Sequence, residues 1–207
     1  MTETVLLYFL FILTGVRLAT FLQPKLLNGL SAVASSKLKE GIDSVVWAGV
    51  VALVLIHFVV RSFYIPSGSM LPTLQINDFI LVNELLYDFT DPSRGDIVVF
   101  HPTVAYTGDN TDLIKRVIGV EGDVVEVKDG SVYLNDVPIQ ENFILDSTSG
   151  TFGPETVKKR HIFVMGDNRD NSRDSRIIGQ IPLKNLVGRA EVIFYPLSRI
   201  HFFNFPR

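Results

Sequence analysis

The sequence predicts an antiparallel all-β domain preceded by two amino-terminal transmembrane helices, and three features indicate this arrangement. Two long apolar runs lie within the first 63 of the 207 residues. From Tyr64 onward, short runs rich in Val, Ile and Phe alternate with Gly, Pro, Asn and Asp, a pattern typical of strands joined by turns. Hydrophobic residues make up 47% of the chain and charged residues 20%, which excludes an intrinsically disordered protein.

The second apolar run, residues 44–63, is the stronger membrane candidate. Its central part, residues 45–60, has no formal charge apart from a possible one on His57. A bilayer core of about 30 Å needs about 20 helical residues. Trp47 near one end and Tyr64 just past the other are typical of membrane interfaces. We therefore predict a transmembrane helix over residues 44–63, and the alternative is a buried core helix.

The first apolar run predicts a retained anchor rather than a cleaved leader. Residues 5–22 are long enough to span, although Arg17 must reach a headgroup region. The preceding MTET has no basic side chain, unlike the start of a signal peptide. Lys37 and Lys39 help to make the next segment basic, so the positive-inside rule places it in the cytoplasm. The predicted organisation is a first transmembrane segment at 1–23, a cytoplasmic basic loop at 24–43, a second transmembrane segment at 44–63 and an outward-facing all-β domain at 64–207.

Seven strands and one clear hairpin are predicted in the all-β domain. Asp129-Gly130 between two alternating runs has the residue types that a tight primed turn requires. Residues 142–156 are predicted to form an exposed loop, because turn-forming residues dominate there. The predicted strands are 79–83, 96–100, 113–120, 124–128, 131–134, 161–165 and 190–195.

A short serine-containing segment after the second apolar run is the first candidate for chemistry. Pro66 and Pro72 hold an extended or turned backbone around residues 67–69, which suits an exposed serine. Serine is a weak nucleophile unless a base lies within hydrogen-bond reach. His101 and His161 are two candidate bases, although no G-x-S-x-G segment indicates a nucleophile elbow. A Ser-His-Asp site therefore stays open at this point.

Lys115 is the other candidate base. Strand alternation places it on one face with Leu113 and Val117, so it shares that face with apolar neighbours. Burial disfavours the ammonium form and can bring the pKa of a lysine close to neutrality. A lysine with such a pKa can act as a general base. The alternative is a lysine on an edge strand that reaches into water.

The polar loop GDNRDNSRDSR at 166–176 is the third feature. Its Asp and Asn residues suggest calcium, but Arg169 occupies a ligand position and Ile178 stands where an EF-hand places Glu. We instead expect a network of hydrogen bonds and Asp–Arg pairs that holds neighbouring groups in place.

Composition excludes further kinds of site. The chain has no cysteine, so it has no disulfide, no thiolate zinc site and no cysteine nucleophile. Its formal net charge of −3 gives no sign of a nucleic-acid partner.

Four segments, taken together, resemble the type I signal peptidases, which are membrane-bound serine proteases that remove signal peptides from exported proteins. They follow the family's order, with a hydrophobic anchor immediately upstream. The resemblance implies antiparallel sheets around a Ser-Lys site, in a compact form of the family, with no cofactor and no metal. The segments are PSGSMLPTL at 66–74, RGDIVVF at 94–100, KRVIGVEGD at 115–123 and GDNRDNSRDSR at 166–176.

The resemblance also implies catalytic roles. Ser69 is then the nucleophile and Lys115 the general base that takes its proton and later activates the deacylating water. The Ser67 hydroxyl and the Ser69 backbone N–H form the oxyanion hole, a two-donor arrangement that stabilises a tetrahedral intermediate. Three further residues support the site: Ser172 orients the lysine, and Asp174 pairs with Arg176.

The substrates implied by the resemblance are signal peptides of exported preproteins with an A-x-A-like cleavage site. Shallow apolar pockets accept the small side chains, and the peptide binds extended beside strands. The expected location is the cytoplasmic (inner) membrane of a bacterium, with membrane lipid as a partner and the catalytic domain on the periplasmic side. The pocket positions fall on Ile65, Met70, Leu74, Ile80, Leu113 and Ile114.

Three alternatives remain at the level of sequence. One is a peptidase specialised for a single pilin or conjugation protein, and another is an anchored β-domain that binds a partner without catalysis. The presence of both Ser69 and Lys115 argues against the binding domain. The third, a Ser-His hydrolase, predicts that replacing His101 or His161 abolishes activity.

Overall fold

The computed structural model describes residues 14–15, 32–54, 60–102, 111–144 and 146–203. The chain divides into two compact units, Met1–Val59 and Val60–Arg207. The first unit contains helix α1, Ala32–Val54. No helix in these described ranges is both long enough and apolar enough to cross a membrane. The predicted first transmembrane segment, 1–23, lies outside the described residues except for 14–15.

Helix α1 and the first strand have other bounds than the sequence patterns suggest. The helix begins inside the predicted basic loop, where Lys37, Lys39 and Glu40 are good helix formers. The sequence predicts that residues 60–63 end the second transmembrane helix, and this is wrong, because they form part of strand β1, Val60–Tyr64. The reason is pairing with a neighbouring strand, since Phe63 lies opposite Ile80. Residues 55–59 lie outside the described residues.

The second unit is built almost entirely of antiparallel strands, as predicted. Its described residues also include two short α-helices and two 3-10 helices, Leu183–Asn185 and Leu197–Arg199. In chain order the elements after β1 are β2 (Phe79–Asn83), α2 (Leu86–Phe89), β3 (Ile97–Phe100), β4 (Leu113–Gly119), β5 (Val124–Lys128), β6 (Ser131–Leu134), β7 (Val137–Pro138), β8 (Phe152–Thr156), β9 (His161–Met165), α3 (Ser175–Ile178), β10 (Ile181–Pro182), β11 (Leu186–Tyr195) and β12 (His201–Phe202).

The strands among the described residues form two sheets. The larger has the order β1-β2-β11-β3-β4-β9-β10, with β12 paired to β11. The smaller has the order β7-β6-β5-β8. All pairs are antiparallel, and β4 lies inside the larger sheet between β3 and β9. This position matters because β4 carries Lys115.

The strand predictions are largely confirmed. Four strands have the predicted bounds, and the others differ by one residue or, for β11, begin four residues earlier. The predicted hairpin is also present, since Lys128 lies opposite Ser131. Asp129 and Gly130 have φ values of 50° and 77°, as a primed turn requires.

The predicted exposed loop at 142–156 is wrong in its last five residues. Residues Phe152–Thr156 form β8, which pairs with β5 at the edge of the smaller sheet. Gly153 and Pro154 suggested a loop, but proline is tolerated on an edge strand. Gly153 has a φ of 80°, and a Cβ there would clash with the carbonyl oxygen of Val125. The glycine therefore permits close approach of the two strands.

Candidate active site

Ser69 lies in the connection between β1 and β2, residues 65–78, which we call the serine turn. Backbone hydrogen bonds close its base: Ile65 N donates to Asp78 O at 2.9 Å, and Asn77 N donates to Ile65 O at 3.0 Å. Met70 has no exposed surface and packs into a hydrophobic cluster beneath the turn. Burial on one side of the turn leaves Ser69 partly exposed on the other.

Lys115 is buried in the middle of the larger sheet. Its exposed fraction is 3%, so the alternative of an edge lysine in water is wrong. The Nζ atom donates to Ser69 Oγ at 2.8 Å and to the Ile114 carbonyl oxygen at 2.7 Å. The structure thus joins the serine and the lysine that the sequence singled out, across 46 positions of the chain.

Burial lowers the pKa of Lys115 from an ordinary 10.5 to about 8. Removing the ammonium from water disfavours the charged form. The negative charges of Asp174 and Asp167 act in the opposite direction and keep the pKa from falling further. A neutral amine is therefore accessible close to neutral pH, and it is already in hydrogen-bond contact with a hydroxyl group.

The polar loop 166–176 packs directly against the serine turn. Asn168 N donates to the Ser69 carbonyl oxygen at 3.1 Å, and Asn168 Nδ2 donates to the Gly68 carbonyl oxygen at 3.0 Å. A Cβ on Gly166 would clash with the Ser69 carbonyl oxygen and with Ser172 Oγ, so only glycine allows this approach. These contacts fix the backbone that carries the candidate nucleophile.

A buried ion pair connects the lysine strand, the polar loop and the serine turn. Arg116 Nε and Nη2 donate to the two carboxylate oxygens of Asp167 at 2.8 and 2.6 Å. Thr73 Oγ1 donates to the same carboxylate at 2.5 Å. The Phe143 ring lies 4.1 Å from the guanidinium carbon of Arg116. The Asp167 carboxylate thus contacts both Thr73, in the turn that carries Ser69, and Arg116, in the strand that carries Lys115.

The network expected in the polar loop is present, with one exception. Asp174 is fully buried and forms two hydrogen bonds with the Arg176 guanidinium, both at 2.9 Å. Arg169, 3% exposed, pairs with Glu141 and donates to Thr148 Oγ1 at 2.9 Å.

The exception is Ser172. Its buried hydroxyl has no hydrogen-bond partner among the described residues, so the expected hydrogen bond to Lys115 is not formed here. The ammonium donates instead to Ser69 and to the Ile114 carbonyl group. The hydroxyl is nonetheless close to the backbone of Ser69, since a Cβ on Gly166 would meet both Ser172 Oγ and the Ser69 carbonyl oxygen.

The expected pocket residues divide into two groups. Ile65, Met70, Leu74 and Ile80 are at most 2% exposed and belong to the core cluster beneath the serine turn. Their side chains are therefore core residues in this structure rather than an open pocket wall. Leu113 and Ile114 are partly exposed, at the start of β4.

The histidines make other contacts. His101 Nδ1 contacts the Asp112 carboxylate, and His161 Nδ1 lies 2.8 Å from the Lys159 carbonyl oxygen. No hydrogen bond within the described part of the chain joins a histidine to Ser69. The geometry therefore favours lysine as the base.

The sequence did not predict a role for several residues that hold the site. Arg116, Asp167 and Asn168 are immediate neighbours of residues already singled out, so the signal was their position within the same motifs. Thr73 lies inside the serine segment and gave no signal of its own. Their roles depend on contacts between distant segments, which a sequence pattern does not display.

Comparison with known proteins gives a consistent result. Residues 38–195 match the family described as signal peptidase, peptidase S26. Signal peptidase I from Leptolyngbya laminosa is 46% identical over 171 residues, covering 81% of this chain and 84% of that protein. Signal peptidase I S from Bacillus subtilis is 33% identical over 173 residues, covering 78% of this chain and 91% of that protein. The crystal structure of a signal peptidase I from Enterococcus faecalis V583 matches with a TM-score of 0.39 at 28% identity, over 48% of this chain and 97% of that one.

Proposed function

This chain belongs to the signal peptidase family, peptidase S26, and we propose that it cleaves signal peptides from exported preproteins with a Ser69–Lys115 dyad. The family makes it a serine endopeptidase. The observation that most directly supports the proposed dyad is the 2.8 Å hydrogen bond from Lys115 Nζ to Ser69 Oγ. The low pKa of the lysine supports the same assignment.

The proposed reaction begins with neutral Lys115. The amine takes the proton of Ser69 Oγ while that oxygen attacks the carbonyl carbon of the scissile bond. The tetrahedral intermediate collapses when the Lys115 ammonium gives its proton to the leaving amine, which leaves an acyl group on Ser69. A water molecule then loses a proton to Lys115 and attacks the carbonyl carbon of the ester. As the bond from that carbon to Ser69 Oγ breaks, Lys115 returns the proton to Oγ, which releases the carboxylic acid and restores the neutral amine and the serine hydroxyl.

Ser67 and the Ser69 backbone N–H are the proposed oxyanion-hole donors. Neither forms a hydrogen bond with another described residue, and Ser67 is exposed. Both donors are therefore available to a developing oxyanion. Donors placed in this way are worth about 10²–10³-fold in kcat each.

The proposed substrate lies extended beside the start of β4. The β4–β9 ladder begins at Arg116, whereas β4 itself begins at Leu113. The three residues before the ladder, including Lys115, therefore have an edge beside which a peptide strand can pair. Leu113 and Ile114 are partly exposed there and suit small side chains of an A-x-A-like site. Ile65, Met70, Leu74 and Ile80 would shape the pocket floor from beneath.

We also propose that the protein is anchored in a bacterial inner membrane, with the catalytic unit on the periplasmic side. The apolar runs at 5–22 and within 44–59 support the anchors. The second unit exposes large apolar side chains near its carboxy terminus, and we propose that they rest on lipid. They include Tyr195 at 52%, Leu197 at 75% and Phe202 at 69% exposed.

The function is tested with the full chain in detergent and a purified precursor that has an Ala-x-Ala site. We expect one cut directly after the second alanine, identified by mass spectrometry of both products. A precursor with a bulky residue in place of the second alanine is the matched control and should remain intact. Cleavage of one pilin-type precursor alone would indicate a specialised peptidase, and no cleavage of any precursor would contradict the proposed function.

The pH dependence of cleavage should follow the ionisation of Lys115. Because the base is the neutral amine and the pKa of Lys115 is about 8, kcat/KM should rise with pH and level off above about pH 8. The measurement is initial rate against pH at low substrate concentration. An optimum below pH 6 would contradict a lysine base, since the amine is then fully protonated.

A further inference from the structure

Arg199 in the carboxy-terminal 3-10 helix contacts the base of the serine turn. Its Nε and Nη2 atoms donate to the two carboxylate oxygens of Asp78, each at 2.9 Å. Nη2 also donates to the Thr73 carbonyl oxygen at 3.4 Å. This arginine lies beyond residues 38–195, the part that matches the family.

Asp78 is the residue at which the serine turn closes. It is 1% exposed, and its backbone carbonyl accepts the hydrogen bond from Ile65 N. Its side chain also accepts from Gln75 N at 2.7 Å, inside the turn. Arg199 supplies the charge that this buried carboxylate needs, and a bidentate pair fixes its orientation. Without the arginine, the carboxylate would be buried and unpaired at the base of the turn.

The serine turn is therefore held from two directions. On one side Thr73 Oγ1 contacts Asp167, which pairs with Arg116 beside the lysine. On the other side the carbonyl group of the same threonine accepts from Arg199. Ser69 lies four residues before Thr73, and its carbonyl oxygen accepts the hydrogen bond from Asn168 N. Asp78, the other residue that Arg199 contacts, lies nine residues after Ser69 in the same closed turn, so a shift of the turn at Asp78 or Thr73 would move the backbone that carries Ser69.

We propose that Arg199 is a positioning residue that holds the serine turn so that Ser69 Oγ stays in hydrogen-bond contact with Lys115 Nζ. The carboxy-terminal segment is then part of the active-site scaffold. The effect on catalysis rests on the proposed function. The effect on the turn itself does not, because it depends only on the contacts of Asp78 and Thr73.

The first test compares kcat and KM for wild type, Arg199→Lys and Arg199→Gln, as full chains in detergent. Lysine keeps the charge but cannot form the bidentate pair, so it should restore part of what glutamine loses. We expect kcat to fall about 10- to 100-fold in the glutamine variant with KM nearly unchanged, because the loss is one of alignment. Arg94→Lys is the matched control, since Arg94 Nε donates to the 4% exposed Asp123 at 2.9 Å away from the turn.

The second test is hydrogen exchange of the same proteins, measured by mass spectrometry without substrate. Both Arg199 variants should speed exchange in peptides covering residues 66–78 and leave the β5–β6 hairpin unchanged. Unaltered exchange in the turn, or a loss of kcat matched by Arg94→Lys, would overturn the proposal. If wild type cleaved no precursor but exchange in the turn still rose, the positioning role would stand and the proposed function would fail.

Discussion

Replacing Ser69 with alanine should abolish precursor cleavage. The change removes the Oγ atom that accepts the hydrogen bond from Lys115 and that we propose forms the acyl intermediate. The loss should be at least about 10⁴-fold in kcat, because a nucleophile and its base act as a unit. The fold should persist, since Ser69 is partly exposed and its backbone contact with Asn168 does not use the side chain.

Two further variants test whether the loss of cleavage is specific to Ser69. Ser67→Ala removes one proposed oxyanion donor and should cost less, about 10²–10³-fold in kcat. His101→Ala should cleave like wild type, because that imidazole contacts Asp112 and not Ser69. Loss of cleavage with His101→Ala, or retained cleavage with Ser69→Ala, would overturn the Ser-Lys mechanism. All variants are assayed on the same Ala-x-Ala precursor, and circular dichroism confirms that each is folded.

Replacing Lys115 with methionine should also abolish cleavage while leaving the protein at least as stable as wild type at pH 7. The lysine pKa of about 8 in the folded protein, against an ordinary 10.5, means that burial disfavours its ammonium form. The difference corresponds to about 3 kcal/mol of lost stability at neutral pH, as an order of magnitude. Methionine has a similar length and no charge, so it removes this cost along with the catalytic base.

The pH dependence separates these two effects. Below pH 8 both folded and unfolded chains hold the lysine proton, so the full cost of burying the charge is present. Between pH 8 and 10.5 the folded protein releases the proton first, and wild type gains stability relative to the methionine variant. Urea unfolding of both full chains in detergent at pH 7, 8, 9 and 10 measures this change.

Lys184→Met is the matched control for the stability measurement. Lys184 is exposed and lies outside the site, so its replacement should show no gain at pH 7 and no convergence at higher pH. A Lys115→Met protein that is several kcal/mol less stable than wild type at every pH would contradict the burial cost argued here. Retained cleavage by that variant would contradict the role of the lysine as base.

Local patterns in the sequence were sufficient for most of the strands. The β5–β6 hairpin was predictable because alternation and an Asp-Gly turn are both local properties. Edge strand β8 was not, because Gly153 and Pro154 favour a loop in isolation and only pairing with β5 makes them part of a strand. Residues 60–63 of β1 were not predictable as a strand for the same reason, since they follow an apolar run that favours a helix and only pairing with β2 makes them part of a sheet.

The identity of the candidate dyad was also available from the sequence, through the resemblance of four segments to one family. What the sequence could not decide was the state of Lys115. Alternation placed it among apolar residues, but its burial depends on β4 lying between β3 and β9. Its lowered pKa follows from that burial, which outweighs the opposing negative charges of Asp174 and Asp167 in a loop about fifty residues away in the chain.

The supports of the site were decided by tertiary structure alone. Asp78 and Arg199 are 121 residues apart, and neither has a sequence pattern that indicates the other. The resemblance implies a contact between Ser172 and the lysine, yet the Ser172 hydroxyl has no hydrogen-bond partner among the described residues, and Lys115 Nζ donates to Ser69 and Ile114 instead. Residue types and strand periodicity are local properties that a sequence displays. Burial, ion pairing and the pKa of a base depend on which distant segments pack together, so only the folded chain determines them.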